Sequence, residues 1–130
     1  MAVLVLDAGV LIAHERGDRS PAAWLARAAR EGIDVAVAVA APTIAEVWRG
    51  GSRQARLARL LDVCRIIDCD RELARSGGEI MARANSREAL DAIVIAAAVV
   101  VGGAVLTDDL SDLRSLGSAA GVRVVPLRDR

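Results

Sequence analysis

Continuous apolar runs alternate along this chain with stretches whose apolar positions recur every three or four residues. "AVLVL" (2–6), "IDVAVAVA" (33–40), "CRIID" (64–68), "GAVLT" (103–107) and "VRVVPL" (122–127) are short and rich in Val, Ile and Ala. Such runs predict strands that are buried on both faces. The segments between them read as helices. "AGVLIAHE" predicts a short helix, broken by "RGDRSP". Ser20 followed by Pro21 predicts an N-cap with Pro at the first helical position, for a helix to about Arg30 that Gly32 ends. Pro42 opens a helix through Glu46 and Trp48, and Gly50-Gly51 closes it. Ser52 is placed to cap "RQARLARLLDV", and Asp70 to cap "RELARSGGEIMARA". Asn85, with Glu88 three residues on, has the spacing of a capping box for a long helix through Val101. "DLSDLRSLGSAA" predicts the last helix. Strands that alternate with helices and are apolar throughout predict an α/β fold. The expected form is a three-layer α/β/α sandwich with a parallel central sheet of four or five strands.

Composition narrows the picture only modestly. The 130 residues fit a single domain spanning 1–130, and 54% of them are hydrophobic, enough for a sizeable core. Trp24 and Trp48 are the only aromatic residues, so the core must be built from Ala, Val, Leu and Ile. Seventeen basic residues balance seventeen acidic ones, which gives no general electrostatic pull toward nucleic acid. Asp7 interrupts the apolar start, so no secretory signal is read there. "AIVIAAAVVVGGAVL" comes closest to a membrane span, but Gly102-Gly103 splits it. A cytoplasmic protein without a membrane segment is expected. Cys64, Cys69 and His14 are too few for a structural zinc site, and both thiols read as reduced packing residues.

The acidic residues change the picture more. In open α/β sheets, sites form beyond the carboxyl ends of strands, where the strand order reverses. Asp7 ends the first strand, and Thr107, Asp108 and Asp109 end the fourth. Glu46 in "APTIAEVW" is the first charge after Asp34, and Asp91 opens the most apolar helix of the chain. Each acid has an ordinary explanation. Asp7, Asp108 and Asp109 can cap helices, Glu46 can pair with Arg49, and Asp91 can complement a helix dipole. If they converge, their repulsion raises their pKa values unless a cation joins them. All-oxygen ligands select Mg²⁺ or Mn²⁺ over zinc. Such ions serve phosphodiester hydrolysis by activating water and neutralising charge.

Taken together, "VLVLDAGVLIA", "APTIAEVWRGG", "LDAIVIAAA" and "LTDDLSDL" resemble the PIN-domain ribonucleases, and among them the VapC-type toxins of type II toxin–antitoxin systems. The resemblance runs from the first strand to the last. It implies catalytic roles for Asp7, Glu46, Asp91 and Asp109, with Asp7, Asp91 and Asp109 as metal ligands. It makes Thr107 a hydrogen-bonding support, Asp112 a possible outer acid and Asp108 the variable neighbour. It further implies Mg²⁺ or Mn²⁺ as cofactor, an RNA substrate, a VapB-type antitoxin as partner and a homodimer. Arg49, Arg53, Arg56 and Arg59 could form a basic rim for RNA phosphate, but a solvated amphipathic helix explains each of them slightly better. Two other classes compete. One is a PIN-type nuclease of RNA processing without an antitoxin. The other is a non-enzymatic Mg²⁺-binding signalling module such as a receiver domain, which needs a Lys that this chain lacks.

Overall fold

A computed structural model describes residues 1–128. The strands are β1 (Ala2–Leu6), β2 (Val35–Ala40), β3 (Arg65–Ile67), β4 (Ala104–Thr107) and β5 (Val124–Pro126). All pair in parallel in one five-stranded sheet of order β3-β2-β1-β4-β5. The helices are α1 (Ala8–Glu15), α2 (Ser20–Arg30), α3 (Ala41–Val47), α4 (Ala55–Val63), α5 (Arg71–Ala84), α6 (Ala89–Val101) and α7 (Leu110–Ala120). The architecture is therefore the α/β/α sandwich that the alternating pattern predicts.

Strand periodicity builds the two cores. Along β1, Leu4 and Leu6 point into one cluster, with Val10, Leu11, Val39, Leu57 and Leu106. Val5 between them points into the other, with Ile80, Ile95, Val105, Leu113 and Leu116. Successive strand residues face opposite sides, so a continuous apolar run serves both layers. α6 carries six fully or almost fully buried residues, Ala92 and Val94 through Ala98. Its small side chains allow the close approach to the sheet and to α5.

Several local expectations shift. Ser20 is the first residue of α2 and not its cap, which is Arg19. Ser52 opens a 3-10 turn (Ser52–Gln54), and α4 begins only at Ala55, with no side-chain cap. Asp70 caps α5, its Oδ1 accepting from the Leu73 amide at 2.9 Å. The capping box at Asn85 and Glu88 does not form. Asn85 ends α5 in the left-handed region (φ 52°), and Glu88 precedes α6 without a side-chain cap. Asn tolerates that conformation better than other non-glycine residues, so it serves the end of one helix instead of the start of the next. Cys64 is buried and Cys69 exposed, and both are free thiols. Among the described residues no helix is long and apolar enough to cross a membrane.

Candidate functional site

The sheet order reverses between β1 and β4, and their carboxyl ends lie side by side. Asp7 follows β1 directly, and its amide extends the ladder to the Leu106 carbonyl at 3.0 Å. One Asp7 oxygen, Oδ1, accepts from the Ala8 amide at 2.8 Å and caps α1. The other, Oδ2, accepts from the Thr107 hydroxyl at 2.9 Å. Asp7 is thus both a cap and a member of a tertiary pair. Thr107 is fully buried, and its Oγ1 also accepts from the Asp109 amide at 2.9 Å. One hydroxyl thereby joins the ends of β1 and β4 to the start of α7.

Further carboxylates surround this junction. Asp91, in the first turn of α6, is pushed up from an ordinary value of 3.8 to about 6. Partial burial is the main cause, followed by the charges of Asp7, Asp112, Glu88 and Glu46. Glu46 on α3 is raised by burial first and then by Asp7. Asp112 is raised chiefly by its hydrogen bond to Asp109, and more weakly by Glu88 and Asp7. The structure therefore gathers Asp7, Glu46, Asp91 and Asp112 into one electrostatic group, with Asp109 joined to it through Asp112. Glu88 belongs to the same group, although its spacing from Asn85 assigns it a capping role. Among the described residues, no three acidic, His or Cys side chains close into a ready metal cage. The acids instead form an open, mutually repelling cluster of oxygen donors.

The two neighbouring aspartates separate. Asp109 Oδ1 accepts from the Ser111 hydroxyl at 2.9 Å, whereas Asp108 Oδ1 accepts from Arg128 Nε at 3.0 Å. Neither caps α7 by a side-chain bond, although Asp109 occupies the N-cap position. Beside them lies a cleft of about 360 Å³, lined by Thr107, Asp109, Ser111, Arg114, Leu127 and Arg128 among others.

Glu46 is held by a device that the pattern did not reveal. Arg49 does not pair with its carboxylate. The guanidinium turns back onto the carbonyls of Ala45, Glu46 and Trp48 at 2.8–3.1 Å and closes the end of α3. Gln54 is buried beneath this loop. Its Nε2 donates to the Val47 carbonyl and to Glu15, and its Oε1 accepts from the Arg49 and Gly50 amides at 2.8 Å each. A buried amide with all its hydrogen bonds satisfied fixes a loop firmly. In the sequence Gln54 is only one more polar residue at the start of an amphipathic segment.

The raised Asp91 pKa makes a stability prediction. The folded state holds this proton more tightly than the unfolded chain, so the site costs nothing below about pH 3.8, where both are protonated. The cost grows as pH rises to about 6 and is constant above it. Asp91→Asn should therefore stabilise the metal-free protein at pH 7.5 by about 1–2 kcal/mol, a figure discounted for partial solvent exposure. It should give no gain at pH 3.5. Thermal melts at both pH values with EDTA check this, and an equal gain at both would contradict the electrostatic cause.

Comparison with known proteins bears on the fold and the family. Chains of three solved structures share the fold over nearly their whole length. One, from a toxin–antitoxin complex of Klebsiella pneumoniae, is 21% identical with a TM-score of 0.76, covering 98% of this chain and 99% of that one. Another, from VapBC2 of Rickettsia felis bound to a promoter DNA fragment, is 13% identical with a TM-score of 0.73, covering 95% and 98%. A third, from FitAcB of Neisseria gonorrhoeae, is 23% identical with a TM-score of 0.69, covering 95% and 97%. A search of curated protein sequences returned no match. The family model of the PIN domain matches residues 4–117, from within β1 into α7, and so takes in Asp7, Glu46, Asp91, Thr107, Asp109 and Asp112. This chain belongs to the PIN domain family.

Proposed function

We propose that this protein is a Mg²⁺- or Mn²⁺-dependent endoribonuclease and the toxin of a VapC-type toxin–antitoxin pair. The observation that carries the proposal is the convergence of acids from β1, α3, α6 and α7 on the β1–β4 junction, where Asp91 is raised to about 6 largely by burial and by its neighbours' charge. The fold gains nothing from that repulsion, whereas a divalent cation cancels it. The donor set fits such an ion: carboxylates only, with no sulfur or imidazole among them. Asp7 and Asp91 would hold it, with Asp109 and Asp112 contributing from the start of α7. The ion would neutralise charge building on the scissile phosphate and sharpen the acidity of water.

The chain's own residues do the rest. The Thr107 hydroxyl holds Asp7 Oδ2, so the Asp7 carboxylate is fixed before any ligand arrives. Burial and Asp7 raise the affinity of the Glu46 carboxylate for a proton, which suits it to accept one from the attacking water. The antitoxin is inferred from the fold shared with chains of toxin–antitoxin complexes. An acidic mouth of this kind suits a partner segment that brings a basic side chain. A homodimer and a cytoplasmic site of action complete the reading.

Cleavage of a labelled RNA tests the proposal. Activity is expected with Mn²⁺ or Mg²⁺, lost with EDTA and restored by excess cation, with a DNA strand of the same sequence cut far more slowly. Millimolar Mn²⁺ should also raise the melting temperature of the wild type, because a ligand of the native state stabilises it. Cleavage that survives EDTA, or none under any condition, would refute the assignment.

A further inference from the structure

Asp108 lies between Thr107 and Asp109, which are both tied into the site, yet its Oδ1 is held by Arg128, and the reason lies across the sheet. Pro126 of β5 is the register partner of Thr107. The Leu127 amide continues the pairing, donating to the Thr107 carbonyl at 2.8 Å. The parallel register therefore delivers the next residue, Arg128, beside Asp108. Every nitrogen of its guanidinium is used. Nε donates to Asp108 Oδ1 at 3.0 Å, Nη1 to the Ser20 hydroxyl at 3.0 Å, and Nη2 to Asp18 Oδ2 at 2.5 Å. Asp18 is itself anchored, its Oδ1 accepting from the Ser20 amide at 2.9 Å. Arg128 holds the Asp18 carboxyl down at about 2, so that carboxylate stays ionised and grips the guanidinium. Below, Asp108 stands over the first turn of α1: a Cβ placed on Gly9 would lie 3.3 Å from the Asp108 Cβ.

We propose that Arg128 is a positioning residue that draws the Asp108 carboxylate away from the acid cluster, leaving the cation site to Asp7, Asp91 and the Asp109–Asp112 pair. This rests on the proposed function above. The physical case is one of charge and reach. Asp108 is bonded in the chain to Thr107, whose hydroxyl already touches Asp7, and to Asp109, whose carboxyl is hydrogen-bonded to Asp112. Turned away from Arg128, the Asp108 carboxylate would project from the chain between Thr107, which holds Asp7, and Asp109, beside a cluster that already lifts Asp91 to about 6. There it would add a competing ligand and a further negative charge facing the substrate phosphate. The Arg128 fork offsets that charge and fixes its direction.

Four proteins test it: wild type, Arg128→Ala, Asp108→Asn and the double variant. Mn²⁺ affinity is read by electron paramagnetic resonance and RNA cleavage by kcat/KM. Arg128→Ala should bind Mn²⁺ about fivefold tighter and cleave about tenfold more slowly, magnitudes typical of coupled neighbours. In the Asp108→Asn background, loss of Arg128 should change neither quantity. A role confined to fastening the segment after β5 predicts the contrary. Arg128→Ala would then impair activity equally in both backgrounds, with no effect on Mn²⁺, and that result overturns the inference. Arg128→Lys, which keeps a charge beside Asp108, should retain wild-type Mn²⁺ affinity, and covers the case in which the alanine variant folds poorly. The two proposals fail separately. Mn²⁺ bound with equal affinity by all these variants overturns the role of Arg128 alone, whereas no Mn²⁺ binding by any of them overturns the cation-dependent nuclease as well.

Discussion

Asp7→Asn should abolish Mn²⁺-dependent RNA cleavage, with a loss of about 10²–10³-fold or more, the scale of removing about 3–4 kcal/mol of charge stabilisation from a transition state. The substitution separates the two jobs of this side chain. Asparagine keeps an oxygen that can accept from the Ala8 amide, so the cap on α1 survives. What it loses is the negative charge and the acceptor that faces the Thr107 hydroxyl. The variant should therefore fold with a melting temperature close to that of wild type, or above it, because Asp7 is among the charges that raise Asp91 and Glu46. Thermal unfolding beside single-turnover cleavage distinguishes the outcomes. An Asp7→Asn protein that melts normally and cleaves at the wild-type rate would remove the acid cluster from the chemistry. Asp7→Ala is the less informative change, since it also deletes the cap.

The largest stability effect should come from one methyl group at Gly103. A Cβ there would lie 2.4 Å from the Val3 carbonyl oxygen and 3.0 Å from its carbon. Those atoms cannot retreat, because Val3 is held in the ladder of β1 against Ala36 of β2. Gly103→Ala should cost about 2–4 kcal/mol and lower the melting temperature by roughly 10 °C or more. Its neighbour offers a graded comparison. Gly102 ends α6 at φ 65° with nothing near its missing Cβ, so Gly102→Ala carries only backbone strain of about 1 kcal/mol. Gly78 sits inside α5 with open space around it, so Gly78→Ala should stabilise by up to about 1 kcal/mol. The order Gly103, Gly102, Gly78 by chemical denaturation tests whether contact, strain and propensity have been separated correctly. In the sequence, Gly102-Gly103 was visible only as a break in an apolar run.

The acids show how far a sequence can be read and where it stops. Asp7, Asp91 and the Thr107–Asp109 stretch could be picked out because they stand in apolar surroundings at the end of a strand or the start of a helix, and Glu46 because no other charge lies between it and Asp34. Parallel topology then brings such ends to one edge of the sheet. Glu88, one turn before Asp91, is placed by spacing to face the same pocket, but the Asn-x-x-Glu pattern assigned it to a capping box, whereas the left-handed end of α5 claimed Asn85. Gln54 and Arg128 gave no comparable signal. Gln54 acts on a loop and on Glu15, 39 residues away, and Arg128 reaches Asp18 across 110 residues.

The sequence by itself determined the layered α/β/α fold, the parallel sheet and the edge of that sheet at which the acids collect. All of these follow from periodicity, strand hydrophobicity and the right-handed crossover, which act through local chain geometry. Only the tertiary structure decided which acids interact and which way each points. Asp108 and Asp109 are chemically identical neighbours. One turns to Arg128, brought alongside by the register of β5, and the other joins Ser111 and Asp112 on the first turn of α7. A side chain's direction is set by the partner that satisfies its charge, and that partner is chosen by contacts in space that no short stretch of sequence contains.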